Sequence, residues 1–210
     1  MRAYAAASST TASYTAILNA ATAGVTDKPA RSTTENYRDL LSQIRVLDPV
    51  PAWTAALTPM PRLKVAPKHQ LVDPAIAARL LGLNAHGLLG GIPGAGESLG
   101  QLFESLATLC VRADAISVDA AVGHLRTRNG DHEVDLVVED PEARVVGIEV
   151  KLAREVEDRD VQHLCWLRDR IGERFAAGVV LTTGPYAYQR PDGIWRGTVA
   201  ARASVYYIWN

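Results

Sequence analysis

Asp135, Glu149 and Lys151 are charged residues set into two aliphatic runs, Val134 to Glu139 and Val145 to Lys151. Runs of this length, separated by Asp140-Pro141-Glu142-Ala143, predict a β-hairpin with a carboxylate in each arm. A carboxylate in an apolar strand is costly to bury unless it is neutralised, and a divalent cation does this directly. Mg²⁺ (or Mn²⁺) takes oxygen ligands and commonly uses one or two carboxylates, completed by water and substrate phosphates. Asp135 and Glu149 would supply that pair. Strand alternation puts Glu149 and Lys151 on one face and Val150 on the other. Lys151 is then placed to orient or help deprotonate a water and to stabilise charge on a phosphate oxygen. The bland alternative for the same residues is a salt-bridged strand edge.

An Asp, a hairpin turn and Glu-x-Lys resemble the signature of the PD-(D/E)xK nucleases, whose fold is restriction-endonuclease-like. That resemblance implies an α/β (α+β) domain with a three-layer core and a central mixed sheet. Many nucleases of this fold carry a further acidic residue on the helix before the catalytic sheet, and Glu104 matches it by position. The resemblance therefore implies Asp135, Glu149 and Glu104 as metal ligands, with Lys151 as the catalytic cation.

Several elements must hold these residues in place. Ser98 to Ala113 predicts a helix buried through Leu99, Leu102, Phe103, Leu106, Leu109 and Cys110. Glu104 lies off that stripe, in a strip with Gly100, Ala107 and Val111 that is small enough to let the helix approach another layer closely. Val122 to Thr127 predicts a strand, joined to the hairpin through a turn at Asn129-Gly130. A helix over Arg159 to Ile171 and a strand over Gly178 to Thr183 follow. One register is awkward. If Asp140 pairs with Ala143, Asp135 falls opposite Ile148, on the wrong face for Glu149. A three-residue connection or a bulge restores the match, and a bulge is predicted there.

A narrower resemblance rests on Gly100-Gln101-Leu102-Phe103-Glu104, Gly130-Asp131-His132-Glu133-Val134-Asp135-Leu136-Val137 and Gly147-Ile148-Glu149-Val150-Lys151. These segments are similar to the C-terminal domain, of unknown function, of a large prokaryotic group of AAA-type ATPases. The likeness spans about Arg2 to Tyr188 and includes Ala66 to Asp73 as a linker strand. It implies a small winged-helix domain over residues 1–90, a nuclease-like domain over 91–210, and an ATPase module or subunit as a partner. Gly91-Ile92-Pro93-Gly94-Ala95-Gly96-Glu97-Ser98 imitates a phosphate-binding P-loop, but Glu97 replaces its lysine and would repel phosphate. The stretch reads as a flexible link with no ATP site.

Residues 1–60 have a different texture, rich in Ala, Ser and Thr. Ala12 to Ala21 predicts one helix. Ser32-Thr33-Thr34-Glu35 predicts a capping box opening a second helix through Tyr37, Leu40, Leu41 and Ile44. Helix, loop and capped helix fit a helix-turn-helix, and the resemblance implies a following strand at Val46 to Pro49 and a wing at Lys64 to Ala66. Such a unit would bring Arg38 to nucleic acid, and Arg126 and Arg128 stand beside the proposed metal site as further phosphate contacts. The chain's formal net charge of −1 and pI near 6.5 provide no basic stripe for tight DNA binding.

Two hundred and ten residues with 48% hydrophobic content suffice for two small cores. Cys110 and Cys165 read as reduced core residues. Serine and threonine interrupt any signal-peptide apolar region near the start, and no run reaches transmembrane length, so a cytoplasmic protein is expected. His132 and His163 lie near the motif but are left out of the catalytic set. Tyr186, Tyr188, Trp195, Tyr206, Tyr207 and Trp209 gather toward the end, and residues 196–210 have no assigned role.

Overall fold

The computed structural model describes residues 1–26, 28–54, 66–91 and 93–199. By contact density these fall into two units, one from 1–50 and 66–106, the other from 51–54 and 107–199.

The first unit is helical. Helix α1 (Arg2–Ala6) is followed by α2 (Tyr14–Ala21), whose N-cap Ser13 accepts a hydrogen bond from the Ala16 amide at 3.1 Å. Helix α3 (Arg31–Gln43) begins without the expected capping box. Ala30 is the N-cap, and Glu35 reaches back to the Arg31 side chain at 2.8 Å rather than to a backbone amide. An i,i+4 charge pair has captured the carboxylate that the box required. Tyr37, Leu40 and Ile44 on α3 are exposed, while Leu41 packs on a core of Tyr4, Ala5, Leu47, Leu71 and Ala77. Isolated antiparallel bridges join Leu47 to Leu71 and Val50 to Lys68. The segment expected as a linker strand thus meets the segment following α3 through isolated bridges only, and neither forms a strand among the described residues. Lys64 and Val65, expected in the wing, lie outside the described residues. Asp73 caps α4 (Pro74–Leu81), which ends at left-handed Gly82 and is followed by α5 (Ala85–Leu89).

Helix α6 (Ala95–Ile116) takes in Ala95 to Ser98, so half of the glycine-rich stretch is the first turn of a helix rather than a link. Its buried face also differs from expectation. Leu106 and Leu109 are 40% and 38% exposed, whereas Ser105, Ala107, Thr108, Val111 and Ala115 are buried. Small side chains allow close backbone approach, and here that outweighs the larger apolar stripe.

In the second unit a six-stranded mixed sheet has the order β1-β2-β3-β4-β6-β5. Strands β1 (Ala121–Arg126), β2 (Glu133–Glu139) and β3 (Val145–Val150) form an antiparallel meander. Helix α7 (Asp158–Ile171) then leads to β4 (Phe175–Thr182), parallel to β3. Strands β5 (Tyr188–Gln189) and β6 (Trp195–Thr198) complete the sheet, so Arg196 to Thr198, at the start of the unassigned stretch, lie in a strand beside β4. Tyr206, Tyr207 and Trp209 lie outside the described residues. Seven α-helices are found among the described residues.

Helix α7 buries Val161, Leu164, Leu167 and Ile171 against Val137, Val145 and Val180. Gly147 permits this approach, since a Cβ there would stand 2.9 Å from Leu164 Cδ2. Residues 145, 147 and 149 of β3 therefore face α7.

Candidate functional site

The geometry of the charged triplet depends on the β2–β3 connection. Asp140 is almost buried. Its carboxylate accepts from the Arg144 amide and from Arg144 Nε, both at 2.7 Å. The Asp140 amide donates to the Arg144 carbonyl at 3.1 Å, leaving Pro141, Glu142 and Ala143 as a three-residue connection. Ala143 takes the left-handed conformation, φ 63°. The ladder runs from Glu139↔Val145 to Leu136↔Ile148 without a shift. One more step brings Asp135 alongside Glu149. The longer connection, and not a bulge between these strands, sets the register. A bulge does occur at Asp135, but against β1: the β1–β2 ladder passes from Gly123↔Val137 to Leu125↔Val134, so Asp135 and Leu136 together oppose His124.

Beyond Leu136 the Asp135 side chain interrupts the ladder. Its Oδ2 accepts from the Val150 amide at 2.9 Å. Glu149, 3% exposed, meets Lys151 Nζ through Oε2 at 3.1 Å. The Lys151 amide continues the parallel pairing by donating to the Leu181 carbonyl at 2.9 Å. Burial works against the Lys151 charge, but Glu149 first and Asp135 second more than offset it, and the ammonium is held above its ordinary range. Lys151 is therefore a fixed cation at neutral pH and a poor proton acceptor.

Helix α7 contributes Asp160, which sequence reasoning passed over, and His163, which it weighed and left out of the catalytic set. Asp160 adds to the field that holds Lys151 charged. His163 loses proton affinity through burial, then through His132 and Lys151, and regains some from Glu133 and Asp135. Its Nδ1 lies 3.3 Å from His132 Nδ1, and the His132 ring stacks on Trp166 at 4.0 Å. The available signal was the position of Asp160 and His163, three apart near the start of a helix whose next turns are apolar inward.

Asp135, Glu149 and Lys151 are brought together at adjoining strand ends of the second unit. Glu104 belongs to the first unit, where its Oε1 meets Nζ of buried Lys68 at 2.9 Å. Lys68 was likewise missed: it falls in the segment expected as a linker strand, where no local pattern marks a lysine for burial. Arg126 pairs with Glu133 at 3.3 Å, and Arg128 is exposed on the β1–β2 turn. Arg38 lies 4.4 Å over the Tyr14 ring and pairs with Asp39 at 2.9 Å.

Among the described residues, no group of three or more His, Cys, Asp and Glu could hold a metal ion. The donor set at Asp135 and Glu149 fits Mg²⁺ only in its sparing mode, with two protein carboxylates and the remaining positions taken by water and substrate oxygen. Among the described residues no helix is long and apolar enough to cross a membrane.

The chain is thus a mixed α/β protein in which a six-stranded sheet gathers two carboxylates and an ammonium at the ends of β2 and β3. Residues 99–201 match the domain of unknown function DUF4143, and residues 1–87 match a second domain of unknown function, DUF8612. No curated protein matches the chain.

Proposed function

We propose that the second unit is a restriction-endonuclease-like, Mg²⁺- or Mn²⁺-dependent nuclease domain that hydrolyses DNA phosphodiesters. One observation carries the reading: Lys151 Nζ stands 3.1 Å from a buried Glu149 beside an Asp135 whose carboxylate is locked on the Val150 amide. Helix, three-stranded meander, helix and parallel strand is also the order expected of that core. Asp135 and Glu149 would hold the cation, which when bound lowers the pKa of a coordinated water and offsets charge on the phosphate. Lys151, kept protonated by the two carboxylates, orients the attacking water through a donated hydrogen bond and faces the developing phosphorane charge. The hydrogen bond from Val150 fixes the Asp135 rotamer, so the site is preorganised by backbone.

Glu104 enters this proposal only as the partner of Lys68. The helical first unit would act as a winged helix that delivers DNA or joins the domain to an ATPase module.

A second reading is an inactive nuclease-like module serving DNA binding or regulation. The lack of a third acidic or histidine ligand among the described residues favours it. The test is cleavage of plasmid and single-stranded DNA with Mg²⁺ or Mn²⁺, repeated with Lys151→Ala and Asp135→Asn. Cleavage lost in both variants supports the nuclease. No cleavage by the wild type supports the inactive module, and cleavage unchanged in both variants discards the site.

A further inference from the structure

A cavity of about 670 Å³ opens between the β1–β2 turn and α7, lined by Arg128, Asn129, Asp131, His132, Trp166 and Arg170, with Thr127 at its edge. We propose that this cavity is a phosphate subsite for a nucleic-acid strand leading away from the Asp135–Glu149 pair. This rests on the nuclease reading for what occupies the carboxylate pair, and not for whether cleavage occurs.

Four observations support the assignment. First, Arg128 and Arg170 are exposed, and neither makes an ion pair among the described residues, in contrast to Arg126, which Glu133 holds at 3.3 Å. An arginine fork without a carboxylate partner suits phosphate oxygens, which it can engage bidentately. Second, Asp131 is the only acidic group in the lining, so two guanidinium groups face one carboxylate. The local balance favours an anion even though the chain as a whole is slightly acidic.

Third, the wall is held in place. The His132 ring lies nearly parallel to Trp166, with a 9° interplanar angle, and Arg170 follows Trp166 by four positions, on the same side of α7. The turn that carries Arg128 is closed by the Thr127 amide donating to the His132 carbonyl at 2.9 Å and the Gly130 amide to the Thr127 carbonyl at 2.9 Å. Fourth, a pair of histidines leads from the cavity wall toward the charged triplet. His132 touches His163, and His163 feels the charges of Lys151 and Asp135. Because this histidine pair intervenes, a phosphate bound between Arg128 and Arg170 is a different phosphate from one held at the carboxylates. Phosphates held at two separate places suit successive positions of a strand, whereas a nucleoside diphosphate carries its phosphates directly linked.

The experiment uses the full chain in EDTA, so that binding is read without turnover. Affinity for a short labelled single-stranded oligonucleotide is measured by anisotropy across a salt series for wild type, Arg128→Ser, Arg170→Ser and the double variant. Each single change is expected to weaken binding about tenfold, the size of one lost charge-assisted contact. The double change should also make the salt slope shallower by about 1.4, at about 0.7 per released single-strand phosphate contact. Neither arginine is ion-paired, so the melting temperature should not change. An unchanged affinity and slope in the double variant overturns the subsite, as does no binding by the wild type. A mononucleotide that competes as well as the oligonucleotide overturns the strand assignment. Arginine-dependent binding without Mg²⁺- or Mn²⁺-driven cleavage sinks the nuclease reading and leaves the subsite standing. Normal cleavage with unchanged binding in the double variant does the reverse.

Discussion

Lys151 decides the character of the site. Its ammonium is more firmly protonated than a free lysine, with burial opposing the charge and Glu149 and Asp135 more than offsetting that effect. In the proposed nuclease it would act as an electrostatic and positioning group, and Lys151→Met should lower cleavage by on the order of 10²-fold in kcat with little change in DNA affinity. Single-turnover kinetics on a defined oligonucleotide separates the two effects. A loss confined to affinity would move Lys151 out of the chemistry.

In the first unit, buried His69 donates from Nε2 to the Ala12 carbonyl at 2.7 Å and lies 3.2 Å from the Tyr4 hydroxyl through Nδ1. Burial, then the nearby Arg38, lowers its proton affinity below the free value of 6.5 despite the Ala12 hydrogen bond. The unfolded chain then binds the proton first. His69 thus contributes stability that is complete above pH 6.5 and is lost as pH falls below it. His163 acts in the same direction. The melting temperature should drop between about pH 7.5 and pH 5.5, and a flat profile would contradict this assignment.

At the scale of elements, the β2–β3 connection sets which face Asp135 shares. Ala143 sits at φ 63°, where a Cβ is strained. Ala143→Gly should stabilise the protein by up to about 1 kcal/mol in denaturant unfolding and leave the register intact. Gly184 follows β4 under the opposite constraint. A Cβ there would fall 1.4 Å from Arg196 Nη2 and 2.5 Å from the Arg154 carbonyl oxygen. Arg196 is 2% exposed and also donates to the Tyr186 carbonyl at 2.7 Å, so it has little room to yield. Gly184→Ala should cost about 1–3 kcal/mol, read as a fall in the denaturation midpoint. The strands and α7 were legible in the sequence because their periodicity and their burial agree, as at Val161, Leu164, Leu167 and Ile171. The buried face of α6 was legible only in part: the strip with Ala107 and Val111 reads as small enough for close approach, but the larger leucine stripe ranks above it. Periodicity weights side chains by size, whereas Ala107, Val111 and Ala115 are buried because they are small.

For the whole molecule, a net charge of −1 provides no long-range attraction to DNA. Any binding should then rest on a few local contacts. With two phosphates neutralised on a single strand, raising salt fourfold should weaken binding only about sevenfold. A slope several times steeper in a salt titration would reveal a basic surface outside the Arg128–Arg170 cavity. The sequence by itself determined the charged triplet, the meander that carries it and the helix that follows, since each is a local pattern of charge and periodicity. Only the tertiary structure decided that Asp135 lines up with Glu149, that Lys68 takes Glu104, and that His132 and His163 meet beside Lys151. These depend on loop register and on contacts between residues tens of positions apart, where the energy belongs to a pairing and no single segment carries its signature.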